Sequence, residues 1–172
     1  MRPGLCPQNS GARPEFACAN PPRCSPVGGH RRPESVLVVV YAADAGILLL
    51  RRSQPFVFWQ SITGSLEPGE TPQAAAKREL EEETGLTNEG ELLDTGINRR
   101  FVIDPRWRDR YAPGVTENLE HAWHYRLARQ PEIRIDVAEH SAYRWVAFAD
   151  APGMVWSWTN REALDSLAET MT

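Results

Sequence analysis

The sequence predicts an α/β/α sandwich of the α/β (α+β) class, with helices packed on both faces of a mixed β-sheet. Three observations predict it. Ser35 to Ala42 is a valine-rich, nearly unbroken apolar run, the pattern of a strand buried on both faces. Two later segments, opening at Thr71 and at Thr159, carry helix start signals. Between them, Leu119 to Leu127 alternates in the manner of a strand, and strands mixed with helices in this order fit a layered fold.

Taken in order, Asp44-Ala45-Gly46 reads as a turn and Ile47 to Arg52 as the returning strand. Phe56 to Trp59 is a short apolar segment leading to Gln60, Ser61 and Ile62. Thr71 and Pro72 start a helix as cap and first helical residue, Ala74 to Thr84 are mostly strong helix formers, and Gly85 stops it. Glu91 to Val102 mixes strand-like residues with Gly96. In the alternating strand Leu119, His121, Trp123, Tyr125 and Leu127 share one side, and Tyr143 to Phe148 reads as a further short strand. Thr159-Asn160-Arg161-Glu162 is a capping box, followed by an apolar stripe of Ala163, Leu164, Leu167 and Ala168.

The chemistry concentrates at residues 64–86. Glu79, Glu82 and Glu83 stand at i, i+3 and i+4 of the predicted helix and share one face. Like charges at this spacing destabilise a helix by a few tenths of a kcal/mol per pair, so their concentration points to a cation between them. Hard oxygen ligands at this density suit Mg2+, with Mn2+ as the alternative. Arg78, four residues before Glu82, is placed to orient a carboxylate. Glu70 precedes the helix as a further ligand or supporting group, and Gly64 and Gly69 permit tight turns there. The reaction this implies is displacement at phosphorus by an activated water. An acidic helix face that is merely solvated is the ordinary alternative, and the surrounding spacing decides against it.

That spacing is Gly64, five residues, Glu70, seven residues, then Arg78, Glu79, Leu80, Glu82, Glu83, Gly85 and Leu86. Its seven fixed residues arise by chance roughly once in a billion windows. It is the complete Nudix box, and the chain is identified as a member of the Nudix hydrolases. Segments outside the box, RRPESVLVVVYA, FWQSITGSLEPGET, RYAPGVTENLE, EHSAYRWV and SWTNREAL, make residues from about 31 onward resemble the bacterial dihydroneopterin triphosphate pyrophosphatase family of folate biosynthesis. The resemblance implies hydrolysis of 7,8-dihydroneopterin 3'-triphosphate to the monophosphate and pyrophosphate. It implies Glu79, Glu83 and Glu139 as metal ligands. Arg31, Arg51, Thr63, Phe101, Val102, Ile103, Asp104 and Ser157 are the implied substrate contacts. Glu82 and Glu139 are the two candidate general bases, and Arg78 joins them as a catalytic-site residue. Phe101, Trp59, Trp107 and Trp156 are candidates to stack on a flat pterin. A broad (d)NTP pyrophosphatase shares this metal centre and is the alternative reading. A non-catalytic Nudix sensor fits less well, since the box is intact.

Size and charge bound the rest. With 172 residues and 41% hydrophobic content the expectation is one catalytic domain, over 33–172. A net charge of -4 gives no general attraction to nucleic acid, and no apolar run approaches membrane-spanning length. The expected partner is a small-molecule substrate and the expected location the cytoplasm. Residues 1–32 hold six of the fourteen prolines, only one acidic residue (Glu15), and all three cysteines, Cys6, Cys18 and Cys24. They read as a disordered extension with neither a secretory core nor a C-x2-C zinc pair, and a native start near Val27 is the expectation.

Overall fold

The computed structural model describes residues 29–170. The expectations for residues 1–28, including the cysteines and the start near Val27, lie outside the described residues.

Strand β1 (Glu34–Ala42) is the axis of the sheet. Along its whole length one edge pairs in parallel with β6 (Glu117–Leu127), which pairs antiparallel with β5 (Gly90–Val102). The other edge is shared. Tyr41 and Ala42 form a hairpin with the start of β2 (Gly46–Arg52), while Ser35 to Val38 pair with β4 (Ile62–Ser65). Strand β2 then diverges to pair with β3 (Phe58–Gln60) and β7 (His140–Val146). The sheet therefore splits into two arms, with parallel and antiparallel pairs both present.

Helix α1 (Pro72–Thr84) closes one face and α3 (Trp158–Thr170) the other, with the single turn α2 (Ala151–Met154) leading into α3. The alternation of β1 sorts the core. Val36, Val38, Val40 and Ala42 pack with Ala75, Ala76 and Leu80 of α1. Leu37, Val39 and Tyr41 pack with Ala163, Leu164 and Leu167 of α3. The double-sided burial read from the valine run is thus real, and each side has its own helix.

Three sequence expectations are corrected. The strand expected at Tyr143–Phe148 begins earlier, at His140, because it pairs with β2 from Arg52 onward. On β6 only Trp123, Tyr125 and Leu127 enter the α1-side core, while Leu119 and His121 are half-buried. The opposite face of β6 carries buried Asn118, Glu120 and Ala122. Helix α3 starts at Trp158, one residue before the expected cap. Ser157 takes the capping place: its carbonyl accepts the Arg161 N–H at 3.0 Å and its Oγ lies 3.5 Å from the Asn160 N. Glu162, the far member of the expected capping box, is bonded instead to Arg99 of β5 at 2.9 Å.

Candidate active site

Helix α1 is placed as its sequence dictates. Thr71 Oγ1 accepts the Ala74 N–H at 3.3 Å, Pro72 occupies the first turn, and Gly85 ends the helix at φ 74° with its N–H on Glu81 O at 2.8 Å. Burial of Ala75, Ala76 and Leu80 against the sheet turns Glu79 and Glu83 inward, to 6% and 1% exposure. Glu82 is left at the rim, exposed to solvent.

Arg78 gathers the acidic groups. Its Nε and Nη2 hold both oxygens of Glu70 at 2.9 Å, a bidentate pair. Nη1 donates to Glu79 Oε1 at 2.5 Å and to Glu82 Oε2 at 3.3 Å, and Nη2 also reaches the Ser65 carbonyl at 3.1 Å. Glu70 also accepts the Glu67 N–H at 2.8 Å and, under the Arg78 guanidinium, its carboxyl titrates below the usual range. Glu70 thus braces Arg78 across the turn before α1. Gly64 has a different role from the turn expected of it. A Cβ there would lie 1.9 Å from the Glu79 carboxyl, so its lack of a side chain makes room for Glu79 over β4.

Glu83 is the most deeply set carboxylate. Burial first, then the charges of Glu79 and Glu139, push its carboxyl well above the ordinary range, against the lowering effects of Arg52 and the Thr63 backbone N–H. Its Oε2 accepts no hydrogen bond and lies 3.9 Å from His140 Nε2. Glu139, from the loop before β7, pairs with Arg52 at 3.2 Å. As the side chains stand, no three His, Cys, Asp or Glu among the described residues converge as a ligand set, because Arg78 and Arg52 turn Glu79 and Glu139 toward themselves. The donor chemistry nevertheless fits a divalent cation. Buried, mutually repelling carboxylates with a bare oxygen gain from one.

Beside Glu139 a cleft of about 470 Å³ is lined by Arg31, Arg52 and Arg110, with Gln54 and Ala138. Burial and the neighbouring Arg31 and Arg52 lower the pKa of Arg110. Of the expected substrate contacts, Arg31 therefore lines the cleft beside Glu139. Arg51 does not line this cleft; Arg52 does. In β2, Leu48 and Leu50 face the α1 side, and Arg52 continues that row while Arg51 points the other way. That alternation was the available signal. His140 and Arg110 had none, since each is positioned by tertiary structure alone.

The remaining expected contacts lie on the α3 side or beyond it. Thr63 pairs with Leu37 and so faces α3, offering its backbone N–H to Glu83. Phe101 is in register with Asn118 on that face. Val102 is 64% exposed, whereas Ile103 is buried and its carbonyl accepts Arg108 Nε at 3.1 Å. Asp104 holds Arg106 through bonds of 2.6 and 2.8 Å. Ser157 Oγ bonds Thr159 Oγ1 at 2.8 Å. Trp107 and Trp156, with Phe56 and Phe58, form one ring cluster under the Arg106 guanidinium, which stands 4.3 Å from the Phe56 centroid. Trp59 packs instead on the α3-side core.

A mixed sheet between two helices, carrying this acidic helix and its arginine brace, defines a class of phosphoanhydride hydrolase. The NUDIX domain family matches residues 31–167, and the chain belongs to it. It is 43% identical to the dihydroneopterin triphosphate diphosphatase of Escherichia coli K12 over 140 residues, covering 79% of this chain and 92% of that one. It is 37% identical to the Haemophilus influenzae protein of the same name, over 78% of this chain and 87% of that one. The structure of the E. coli dihydroneopterin triphosphate pyrophosphohydrolase superposes with a TM-score of 0.76 at 39% identity, covering 82% of this chain and 98% of that one.

Proposed function

We propose that this protein hydrolyses 7,8-dihydroneopterin 3'-triphosphate to dihydroneopterin monophosphate and pyrophosphate, with Mg2+, in the cytoplasm. The observation that carries the reading is the placement of a buried acidic pair, Glu79 and Glu83, next to a cleft lined by Arg31, Arg52 and Arg110. The choice of pterin follows the relatives that bear this activity in their names. Glu79, Glu83 and Glu139 would hold the cation. When bound, it neutralises phosphate charge and lowers the pKa of a coordinated water. The arginines bind the phosphate oxygens, and their charge favours the pyrophosphate as it leaves. Glu139 lines the cleft, whereas Glu82 is tied to Arg78, so Glu139 is the better placed to take the proton of the attacking water. Arg78 orients Glu79. The test is pyrophosphate release with Mg2+, comparing kcat/KM for dihydroneopterin triphosphate with that for the common dNTPs. A preference for the pterin of about tenfold or more is expected. Equal or better turnover of the dNTPs would replace this reading with a general nucleotide pyrophosphatase.

A further inference from the structure

The α3 face of the sheet holds two buried oxygen acceptors with no donor. Asn118 is 1% exposed and Glu120 6%, yet Asn118 Oδ1 and Glu120 Oε1 accept no hydrogen bond. Buried acceptors of this kind are rare and costly in a folded chain. The two residues are two apart on β6, so their side chains point the same way. Their neighbours fix how they point. Asn118 Nδ2 donates to Ser35 Oγ at 2.7 Å, which turns Oδ1 away from β1. The Thr159 hydroxyl donates to the Glu120 carboxylate, and Ser157 stands 2.8 Å behind Thr159. A row of hydroxyls at the start of α3 thus orients Glu120, leaving Oε1 bare.

The surroundings suit a flat ring. Phe101 is in register with Asn118 on the same face. Arg99, in register with Glu120, reaches out to Glu162, whose side chain is 57% exposed. Strand β4 joins this region to the acidic helix. Thr63 and Ser65 face the α3 side, while Gly64 between them lies against Glu79. A substrate passing round β4 would therefore have its ring on one side of that strand and its phosphates on the other.

We infer that Asn118 Oδ1 and the Glu120 carboxylate read the donor edge of a 2-amino-4-oxo heterocycle, the adjoining ring N–H and exocyclic amine that pterin and guanine share. The inference rests on the proposed pyrophosphatase activity and deepens it. A carboxylate accepts both donors of that edge. Adenine presents a ring-nitrogen acceptor and a C–H there, so the acceptor meets a Glu120 oxygen with no proton between them. The two buried oxygens therefore supply selectivity among ring systems, while the box supplies chemistry common to all of them.

The experiment is kcat/KM for dihydroneopterin triphosphate, GTP and dATP in wild type and Glu120→Gln, with thermal melts of both. The glutamine keeps the size of the side chain and offers one acceptor where the carboxylate offers two. The ratios of pterin to dATP and of GTP to dATP are expected to fall roughly 10- to 100-fold, through KM. Ratios unchanged within twofold, with a shift in melting temperature alone, would overturn the inference and leave Glu120 as a seat for α3. If wild type shows no preference for the pterin over dATP, the functional reading fails; the GTP-to-dATP ratio still decides the edge reading. If Glu120→Gln does not fold, Asn118→Ala read by the same ratios decides it, a fall supporting the inference and constancy overturning it.

Discussion

Each face of the sheet is closed by a helix, and the two helices bring opposite chemistry to it. Helix α1 lays ionisable groups against the sheet: Glu79 and Glu83 inward, Arg78 across them, Glu70 behind. Helix α3 lays neutral hydrogen-bonding groups against it. Asn160 pins Ser61 through two bonds of 2.8 Å, and Thr159 donates to the one buried acid on that side, Glu120. Under the proposed function the difference follows from what each side would hold. Carboxylates clustered for a metal repel one another and need a counter-charge built in, whereas a ring edge needs fixed, uncharged or singly charged hydrogen-bond partners.

The sharpest test of the comparison is Glu83→Gln. It removes an anionic oxygen from the metal side and nothing from the ring side. Turnover at saturating Mg2+ should fall on the order of 10^3-fold, with the ratios among substrates preserved. In chelator the variant should melt no lower than wild type, because burial and neighbouring negative charge already disfavour the ionised Glu83. Retained turnover would remove Glu83 from the ligand set.

The two faces also differ in how far the sequence exposes them. A metal-binding helix needs its acids at fixed steps, its brace at a fixed distance, and glycines at its approach and its end. Spacing alone therefore gives Glu79, Glu83, Arg78 and Gly64. The basic cleft is less legible: Arg51 and Arg52 are neighbours in sequence, and one residue reverses the face in a strand, so only the fold shows that Arg52 is the one lining it. The ring side is less legible still. Ser35, Thr63, Asn118, Glu120 and Ser157 come from three strands and a helix start, meet only after folding, and share no period. The misplaced cap of α3 has the same origin. Thr159 and Glu162 satisfy the capping pattern, but tertiary partners on the sheet take both side chains.

A second test moves to the ring side and reads stability against pH. Burial pushes the Glu120 carboxyl up to about 7, only partly offset by Thr159 and Arg99. A carboxyl raised on folding contributes its full stability below its unfolded pKa and loses it as pH rises through the folded value. Between about pH 4.5 and 7 this group should cost up to ~3 kcal/mol. Glu83 shifts in the same direction, so the comparison belongs in a Glu83→Gln background. There, adding Glu120→Gln should flatten the fall in melting temperature across that window by several degrees. Parallel curves would mean that Glu120 is ionised without penalty, and the contrast between a charged and a neutral face would lose its ring-side half.

The smallest expected effect separates two glycines of the same box that look alike in sequence. Gly64 borders the Glu79 carboxyl at a distance no Cβ tolerates, 1.9 Å, yet the clash is with the far end of a flexible side chain. Gly64→Ala should therefore leave stability almost unchanged and push Glu79 out of line, lowering kcat about 100-fold and weakening the response to Mg2+. Gly69 has open space around its Cβ position but sits at φ 77°, in the left-handed region. Gly69→Ala should lower stability by about 1 kcal/mol through backbone strain and leave Glu79 in place. Its kcat should stay within a few-fold of wild type, since the loop it bends carries Glu70 and only indirectly the ligands. Melting curves and Mg2+ titrations of the two variants give the readout. If Gly69→Ala loses as much turnover as Gly64→Ala, the loop geometry matters to the acidic face as much as the room beside β4 does.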